Sequence, residues 1–324
     1  MPDIEVPEPS IAFVACTENG VLAAQAQLLF ESLRRFGGRF KDAPCYTLSP
    51  RAGHTLGPRA TKALEALEVA YIDEVINTDG AHYGSANRVA AAGYVEAHTD
   101  CELIVVLDSD TLILREPSDL ALPHDVDIAA RPVDVKGMCT SGADDPNDTY
   151  WRALCATSQV PYDAIPTLQT TVDRVTVKAS YNAGLVVARR SAGIMQRWVE
   201  LFFRSIRMGL VPRKKGLAFR SGMGMVTPEA GQLWGSNQAA LSLAMWSTTR
   251  AVGLLPPTYN FPLHLRVPSD LRAAGFDRLV HAHYHWLCEP NELQNNPLLV
   301  DPHVLSAEQR AWLVERLPLR PLTD

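Results

Sequence analysis

Two carboxylates, Asp108 and Asp110, lie one residue apart where the apolar run 102–107 (ELIVVL) ends. Alternate residues of a strand share a face, but here the strand has just ended, so both carboxylates can turn toward one point. Two like charges a few ångströms apart repel, and one would normally take up a proton. A divalent cation removes that cost, and oxygen ligands favour Mg2+ or Mn2+. The carboxyl end of a strand in an open α/β sheet is also where such folds bind ligands. A turn capped by Asp would give the same triplet without chemistry. The return to apolar sequence in Thr111-Leu112-Ile113-Leu114 argues instead for a fixed kink between two strands. Far downstream, His281, His283 and His285 alternate, as on one face of a strand. Strand neighbours two apart are separated by roughly 6.6 Å, so one ion can meet one or two of them; a half-exposed strand with a polar outer side reads the same way.

The elements that must position these groups alternate between short apolar runs and helical patterns, the signature of βαβ units. Residues 11–16, 45–48, 69–75, 102–107, 127–133, 181–188 and 279–285 read as strands. Helical periodicity covers 21–36, 60–67, 85–98, 192–206 and 235–246, the first stopped by Gly37-Gly38. Residues 134–174 read as loop with a short helix at 150–155, and within it Asp144, Asp145 and Asp148 read as exposed turn residues that could alternatively bind the hydroxyls of a ligand. Without repeats or a clean linker, one continuous domain over 1–324 is expected.

Composition bounds the function. Of 324 residues 47% are hydrophobic and 20% charged, as in an ordinary globular protein. A net charge of -6 argues against a dedicated nucleic-acid binder. No apolar run reaches the length of a membrane span, and the acidic, Pro-rich start MPDIEVPEPS resembles no secretory signal. Six cysteines without a CxxC pair suit reduced, structural thiols, hence a cytoplasmic location. A homodimer is compatible with this composition.

The segment LDSDTLIL resembles the Asp-x-Asp element of GT-A glycosyltransferases, and four further stretches extend that resemblance to the retaining glycogenin and lipooligosaccharide galactosyltransferase class. Residues 11–17 (IAFVACT) are similar to the first strand that cradles nucleobase and ribose, which implies donor contacts from Ala15, Cys16 and Thr17. Ser85-Ala86-Asn87-Arg88 stands where the family has a donor-binding Arg, and Ser109 lies within the metal motif. Tyr181-Asn182-Ala183-Gly184 resembles the strand lining the donor sugar, implying roles for Asn182 and Ala183. Ser236-Asn237-Gln238 resembles the family's Asp-Gln-Asp helix start, and His283-Tyr284 with Glu289-Pro290 its late element, whose His completes the metal site. The resemblance implies an α/β GT-A fold, a mixed central sheet flanked by helices. It further implies a nucleotide-sugar-binding half at 10–133, an acceptor-binding and metal-completing half at 134–305, and Mn2+ or Mg2+ held by Asp108, Asp110 and His283.

The expected activity is transfer of a hexose from a UDP- or GDP-sugar to the hydroxyl of a sugar or small-molecule acceptor. Asn237 and Gln238 would steady an oxocarbenium-like centre but cannot act as bases, so retention is expected. Were the enzyme inverting, Glu229 and Asp173 would be the candidate bases. The family's phosphate-binding Lys is replaced by Glu289, and Trp286 stands where the family has Gly. The cationic run Arg204, Arg207, Arg213, Lys214, Lys215, Arg220, flanked by Gly209, Gly216, Gly222 and Gly224, is either a solvated face or a basic loop replacing that Lys. Tyr150, Trp151 and Trp234 could stack on a sugar or pack in the core. Two other readings stay open. A sugar nucleotidyltransferase should carry a Gly-rich basic loop after its first strand, where this chain has Thr17-Glu18-Asn19-Gly20. A noncatalytic sugar-binding module would keep the fold without turnover.

Overall fold

The computed structural model describes residues 9–213, 215, 219–221, 224–285, 287 and 293–323, with the side chains of 219–221, 224 and 225 left out of the description. Lys214, Gly216, Gly222, Trp286, Cys288, Glu289 and Pro290 therefore lie outside the described residues, as do the side chain of Arg220 and everything expected of them.

In chain order the strands are β1 (Ile11–Cys16), β2 (Cys45–Leu48), β3 (Val69–Ile72), β4 (Leu103–Leu107), β5 (Thr111–Ile113), β6 (Ile128–Pro132), β7 (Thr167–Gln169), β8 (Thr176–Lys178), β9 (Tyr181–Arg189), β10 (Phe219–Ser221), β11 (Gly224–Val226), β12 (Val252–Leu254), β13 (Phe261–Pro262) and β14 (His281–His283). The helices that matter below are α1 (Val21–Phe36), α2 (Pro58–Glu65), α3 (Ala86–His98), α4 (Asp148–Ser158), α5 (Ile194–Arg207), α6 (Pro228–Gln232), α7 (Ser236–Thr248) and α8 (Ser269–Gly275).

Seven strands form one sheet in the order β12-β6-β9-β4-β1-β2-β3. Its pairings are parallel except at β9, which runs antiparallel to both neighbours. Every residue of β4 is buried, because helices cover both faces and leave no side for water. The two faces still follow the strand period of two. Ile104 and Val106 of β4 join Val14 and Val186 in a core with α3, α4, α5 and α7. Leu103, Val105 and Leu107 join Phe13 and Val187 in a second core under α1 and α2. A smaller sheet, β13-β14-β5, carries a third core with Leu112, Ala282, Tyr284 and Trp312. Among the described residues no helix is long and apolar enough to cross a membrane.

The stretch 134–174 is more ordered than its composition suggests. Helix α4 and the β7/β8 hairpin hold it, and Asp145 and Asp148 are buried, which corrects their reading as exposed turn residues. Asp144 alone stays exposed. Both buried carboxylates are saturated by donors. Asp145 Oδ2 accepts from the Ser141 N–H at 2.9 Å and hydroxyl at 2.7 Å and pairs with Lys136 at 2.9 Å. Asp148 accepts from Thr140 Oγ1 at 2.9 Å, from the Tyr162 hydroxyl and from Arg152.

Burial by itself would raise the Asp148 carboxyl, but the bonds from Tyr162, Arg152 and Thr140 outweigh it and hold it below its ordinary value of 3.8. A folded-state value below the unfolded one gives stability that is present above the ordinary value and is lost as pH falls through the folded one. Asp148→Asn should thus cost about 2–3 kcal/mol, the worth of a charged hydrogen-bond set, at neutral pH. It should cost progressively less in melts below the ordinary carboxylate value. An equal cost at neutral pH and at pH 3 would show that the charge contributes nothing.

Candidate active site at the carboxyl end of strand 4

The kink after β4 is built from backbone bonds that the sequence pattern only suggests. Asp108 N–H donates to Gly184 O at 3.0 Å, extending the ladder with β9 past the end of β4. Thr111 Oγ1 donates back to Asp108 O at 2.6 Å and closes the turn. Gly184 lets these groups come close, because a Cβ at this position would lie 3.1 Å from Asp108 Oδ2 and 3.0 Å from the Asn260 amide and push on both side chains. Strand β5 then leaves to pair with β14 in the register His283↔Thr111, and Tyr284 N–H donates to Asp110 O at 3.1 Å. These pairings carry the histidines of β14 across some 170 residues of sequence to the triplet, as an antiparallel partner at this register must.

The result is a cluster of oxygen and nitrogen donors. His283 Nε2 lies 3.1 Å from Asp110 Oδ1 and 3.9 Å from Asp108 Oδ2. Its other nitrogen, Nδ1, is 3.1 Å from Asn260 Oδ1, which can only accept, so the proton sits on Nδ1 when Nε2 serves as ligand. His285 lies just beyond β14 at a left-handed φ of 57°, which stacks its ring on His283 with centroids 3.9 Å apart. Its Nδ1 is 3.6 Å from Asp110 Oδ2. His281 is fully buried and accepts the Asn260 N–H at 3.2 Å, so it faces the core and away from the carboxylates.

Burial works to raise the Asp110 carboxyl, but the His283 charge and the hydrogen bonds from His283 and His285 hold it well below the usual carboxylate range. Burial likewise opposes charging of His283, yet Asp110, and then Asp108, lift it above its ordinary value. For a cation the donor set fits: bonds of about 2.1 Å at right angles put ligand atoms roughly 3 Å apart, near the observed spacing. Oxygen plus imidazole donors suit Mn2+, and oxygen-rich sets suit Mg2+.

Beside this cluster lies a cavity of about 250 Å³. Six of the twelve expected site residues line it: Arg88, Asp108, Asn182, Asn237, Gln238 and His283. Arg88 pairs through Nη2 with Asp108 Oδ1, while its buried Nε has no partner among the described residues, a cation with donor capacity to spare. Asn182 donates to Asp134 Oδ2 at 3.0 Å. The start of α7 is held by Trp198, whose indole N–H donates to Asn237 O at 2.8 Å. Gly235, at φ 85°, makes the turn that points Asn237 and Gln238 at the cavity.

The other six are placed differently. Asp110 meets the two imidazoles rather than the cavity surface. Ser109 points toward Gln25 of α1, 3.4 Å away. Ala15, Thr17 and Ala183 are buried, so only their backbone could meet a ligand. Cys16 is partly exposed, and burial in its strand end keeps its thiol protonated. Neither Glu229 nor Asp173 lines the cavity; Asp173 Oδ2 accepts the Lys136 N–H at 2.9 Å. Tyr150 and Trp151 pack in the core, Trp151 reaching the cavity lining while almost fully buried, whereas Trp234 is 43% exposed at the cavity wall. Of the basic run, Arg207 is engaged with Asp79 at 2.8 Å.

The structure adds residues that the sequence reading passed over. Asp134 lines the cavity, with Oδ1 taken by Arg131 and by the Thr171 hydroxyl. It follows β6 at the carboxyl end of a strand, a signal that could have found it. Asn260 and His264 carry no local signal; His264 Nδ1 lies 2.7 Å from His285 Nε2.

Solved structures share this architecture. An active-site mutant of LgtC superposes with a TM-score of 0.50 at 14% identity, over 95% of this chain and 96% of that one. The bifunctional glycosyltransferase WbbM in its apo form gives 0.50 at 12% identity over 96% of this chain, which spans only 52% of WbbM. The galactosyltransferase LgtC in complex with donor and acceptor sugar analogues gives 0.47 at 14% identity over 95% and 96%. At these identities the two likenesses at 0.50 speak to the fold alone, which is GT-A, and the one at 0.47 carries no argument. No curated protein sequence matches the chain. The sequence itself carries the family assignment: residues 13–215 match the Rhodobacterales glycosyltransferase domain, well over half of the chain, and the protein belongs to that glycosyltransferase family.

Proposed function

We propose that this glycosyltransferase moves a hexose from a UDP- or GDP-sugar to an acceptor hydroxyl with retention of anomeric configuration, and that it uses Mn2+ or Mg2+. The observation carrying this reading is that the Asp108/Asp110/His283 cluster and the Gln238 amide line or adjoin one cavity. A cation held by the cluster would neutralise charge developing on the departing diphosphate, with no proton transfer needed. Arg88 would assist once it exchanges Asp108 for a phosphate oxygen, because its guanidinium is already aimed at this place. The α7 N-terminus adds a favourable field for negative charge.

On the sugar side, Gln238 offers an amide oxygen that can stabilise positive charge but cannot hold a proton. Among the described residues that line the cavity Asp134 is the one carboxylate besides Asp108, yet Arg131, Thr171 and Asn182 occupy both its oxygens, which blunts it as a nucleophile. The leaving diphosphate would then take the acceptor's proton on the same face. Trp234 at the cavity wall suits the acceptor, since an exposed indole face stacks on sugar rings.

A thermal-shift screen of UDP- and GDP-sugars with Mn2+, followed by NMR of the product, tests this. Gln238→Ala should slow turnover by about 10–100-fold through loss of one polar contact of roughly 1.5–3 kcal/mol. An α-linked donor should give an α-linked product. A β-linked product would overturn retention, and no turnover with any donor would favour a binding module.

A further inference from the structure

We propose that His285 is a second imidazole ligand of the metal site, positioned by His264, and that this pair makes the protein select Mn2+, Co2+ or Zn2+ over Mg2+. The inference rests on the metal site proposed above and adds to it a ligand and a selectivity.

Three observations converge. The ligand atoms of Asp110, His283 and His285 all lie within 4.8 Å of one another, close enough to serve one ion. His285 holds a left-handed backbone, a strained conformation for a non-glycine residue that persists where the surrounding structure requires it. That conformation is what turns its ring onto His283, and an extended backbone would carry the ring away along the strand. The third observation concerns the proton. His285 Nε2 lies 2.7 Å from His264 Nδ1, and the two rings meet edge-on at 85°. If Nδ1 of His285 binds a cation, Nε2 must carry the proton, and His264 Nδ1 is placed to accept it. The arrangement repeats at His283, where Nδ1–H meets Asn260 Oδ1 and leaves Nε2 for the ion. Metal-binding histidines are oriented in this way, through an acceptor on the far nitrogen.

Selectivity follows from the donor set. Mg2+ prefers oxygen ligands in a tight octahedron and gains little from imidazole. Later divalent ions take nitrogen increasingly well, so two imidazoles beside a carboxylate shift preference toward them.

The test uses the full chain and the metal alone. Mn2+ is titrated calorimetrically, and pulsed EPR counts the imidazole nitrogens it sees. Two are expected in the wild type, one in His283→Ala and one in His285→Ala. His285→Asn, which tolerates the left-handed backbone, should behave as His285→Ala and guards against loss of the loop. His264→Ala should weaken Mn2+ by about 10–100-fold, the usual range for an orienting partner, and His264→Gln should restore part, because its amide oxygen can accept the same proton. The ratio of Mg2+ to Mn2+ dissociation constants should fall about tenfold without the His285 ring. A single nitrogen, lost in His283→Ala and kept in His285→Ala, would overturn this inference while leaving the metal site intact. Equal wild-type affinity for Mg2+ and Mn2+ would overturn the selectivity. No Mn2+ binding at all would remove the metal site and the inference together.

Discussion

Asp110→Asn is expected to lower turnover by about 10³-fold or more, equivalent to roughly 4 kcal/mol of transition-state stabilisation, while the protein stays folded. Asp110 is the carboxylate on which both imidazoles converge, at 3.1 Å from His283 and 3.6 Å from His285. Those contacts hold it ionised against the cost of burial, so its charge is available to a cation across the whole working pH range. Asparagine keeps the shape, removes the charge and turns an N–H2 group toward one of the rings. The fold should survive, because the bond that ties β14 to the kink uses the backbone carbonyl of Asp110 and not its side chain. Turnover measured across a Mn2+ series, beside a melting curve, separates the two effects. Near-wild-type activity at low Mn2+ would sink the assignment of Asp110 to the metal.

The second large effect concerns two histidines that sequence spacing cannot tell apart. His283→Ala should weaken Mn2+ by about 100-fold or more with little change in melting temperature, since it removes a ligand whose orientation Asn260 already fixes. His281→Ala should do the reverse. Burial, and then the nearby His283 charge, push the His281 imidazole down to about 3, so it is a neutral core ring at any working pH. Deleting it leaves a void and strips the Asn260 N–H of its acceptor, at about 2–4 kcal/mol of stability. Its effect on Mn2+ should stay within a few-fold, transmitted only through Asn260. If calorimetry finds His281 to be the metal-sensitive position and His283 the stability-sensitive one, the roles drawn from the β14–β5 register are wrong.

What the sequence determined by itself is local and periodic. The apolar run before Asp108 declared a strand, and β4 is one, buried at every residue. The period of 21–36 placed α1 at its full length, and Tyr181 marked the start of β9, the strand whose Gly184 allows the kink. The carboxylate pair could be named because a strand end shows in the pattern of apolar residues, whereas Arg88 and Gln238 were named only from the resemblance to a glycosyltransferase class.

Tertiary structure alone decided how these parts meet. Strand alternation separates His283 from His285 by more than 6 Å, yet one left-handed residue after the strand ends brings their rings into contact. No pattern near Asp110 and Asp108 says that the first would face two imidazoles and the second a guanidinium. That division follows from the register of β14 on β5 and from the packing of α3 against the sheet. Asp145 and Asp148 looked like turn residues because Gly, Asp and Asn surround them; donors brought by Lys136, Arg152 and Tyr162 made their burial affordable. Asn260 and His264 were invisible, because each acts on a histidine about twenty residues away across a sheet edge. Periodicity records which face of an element is buried. It does not record which distant element lies against that face, and the site is made of such meetings.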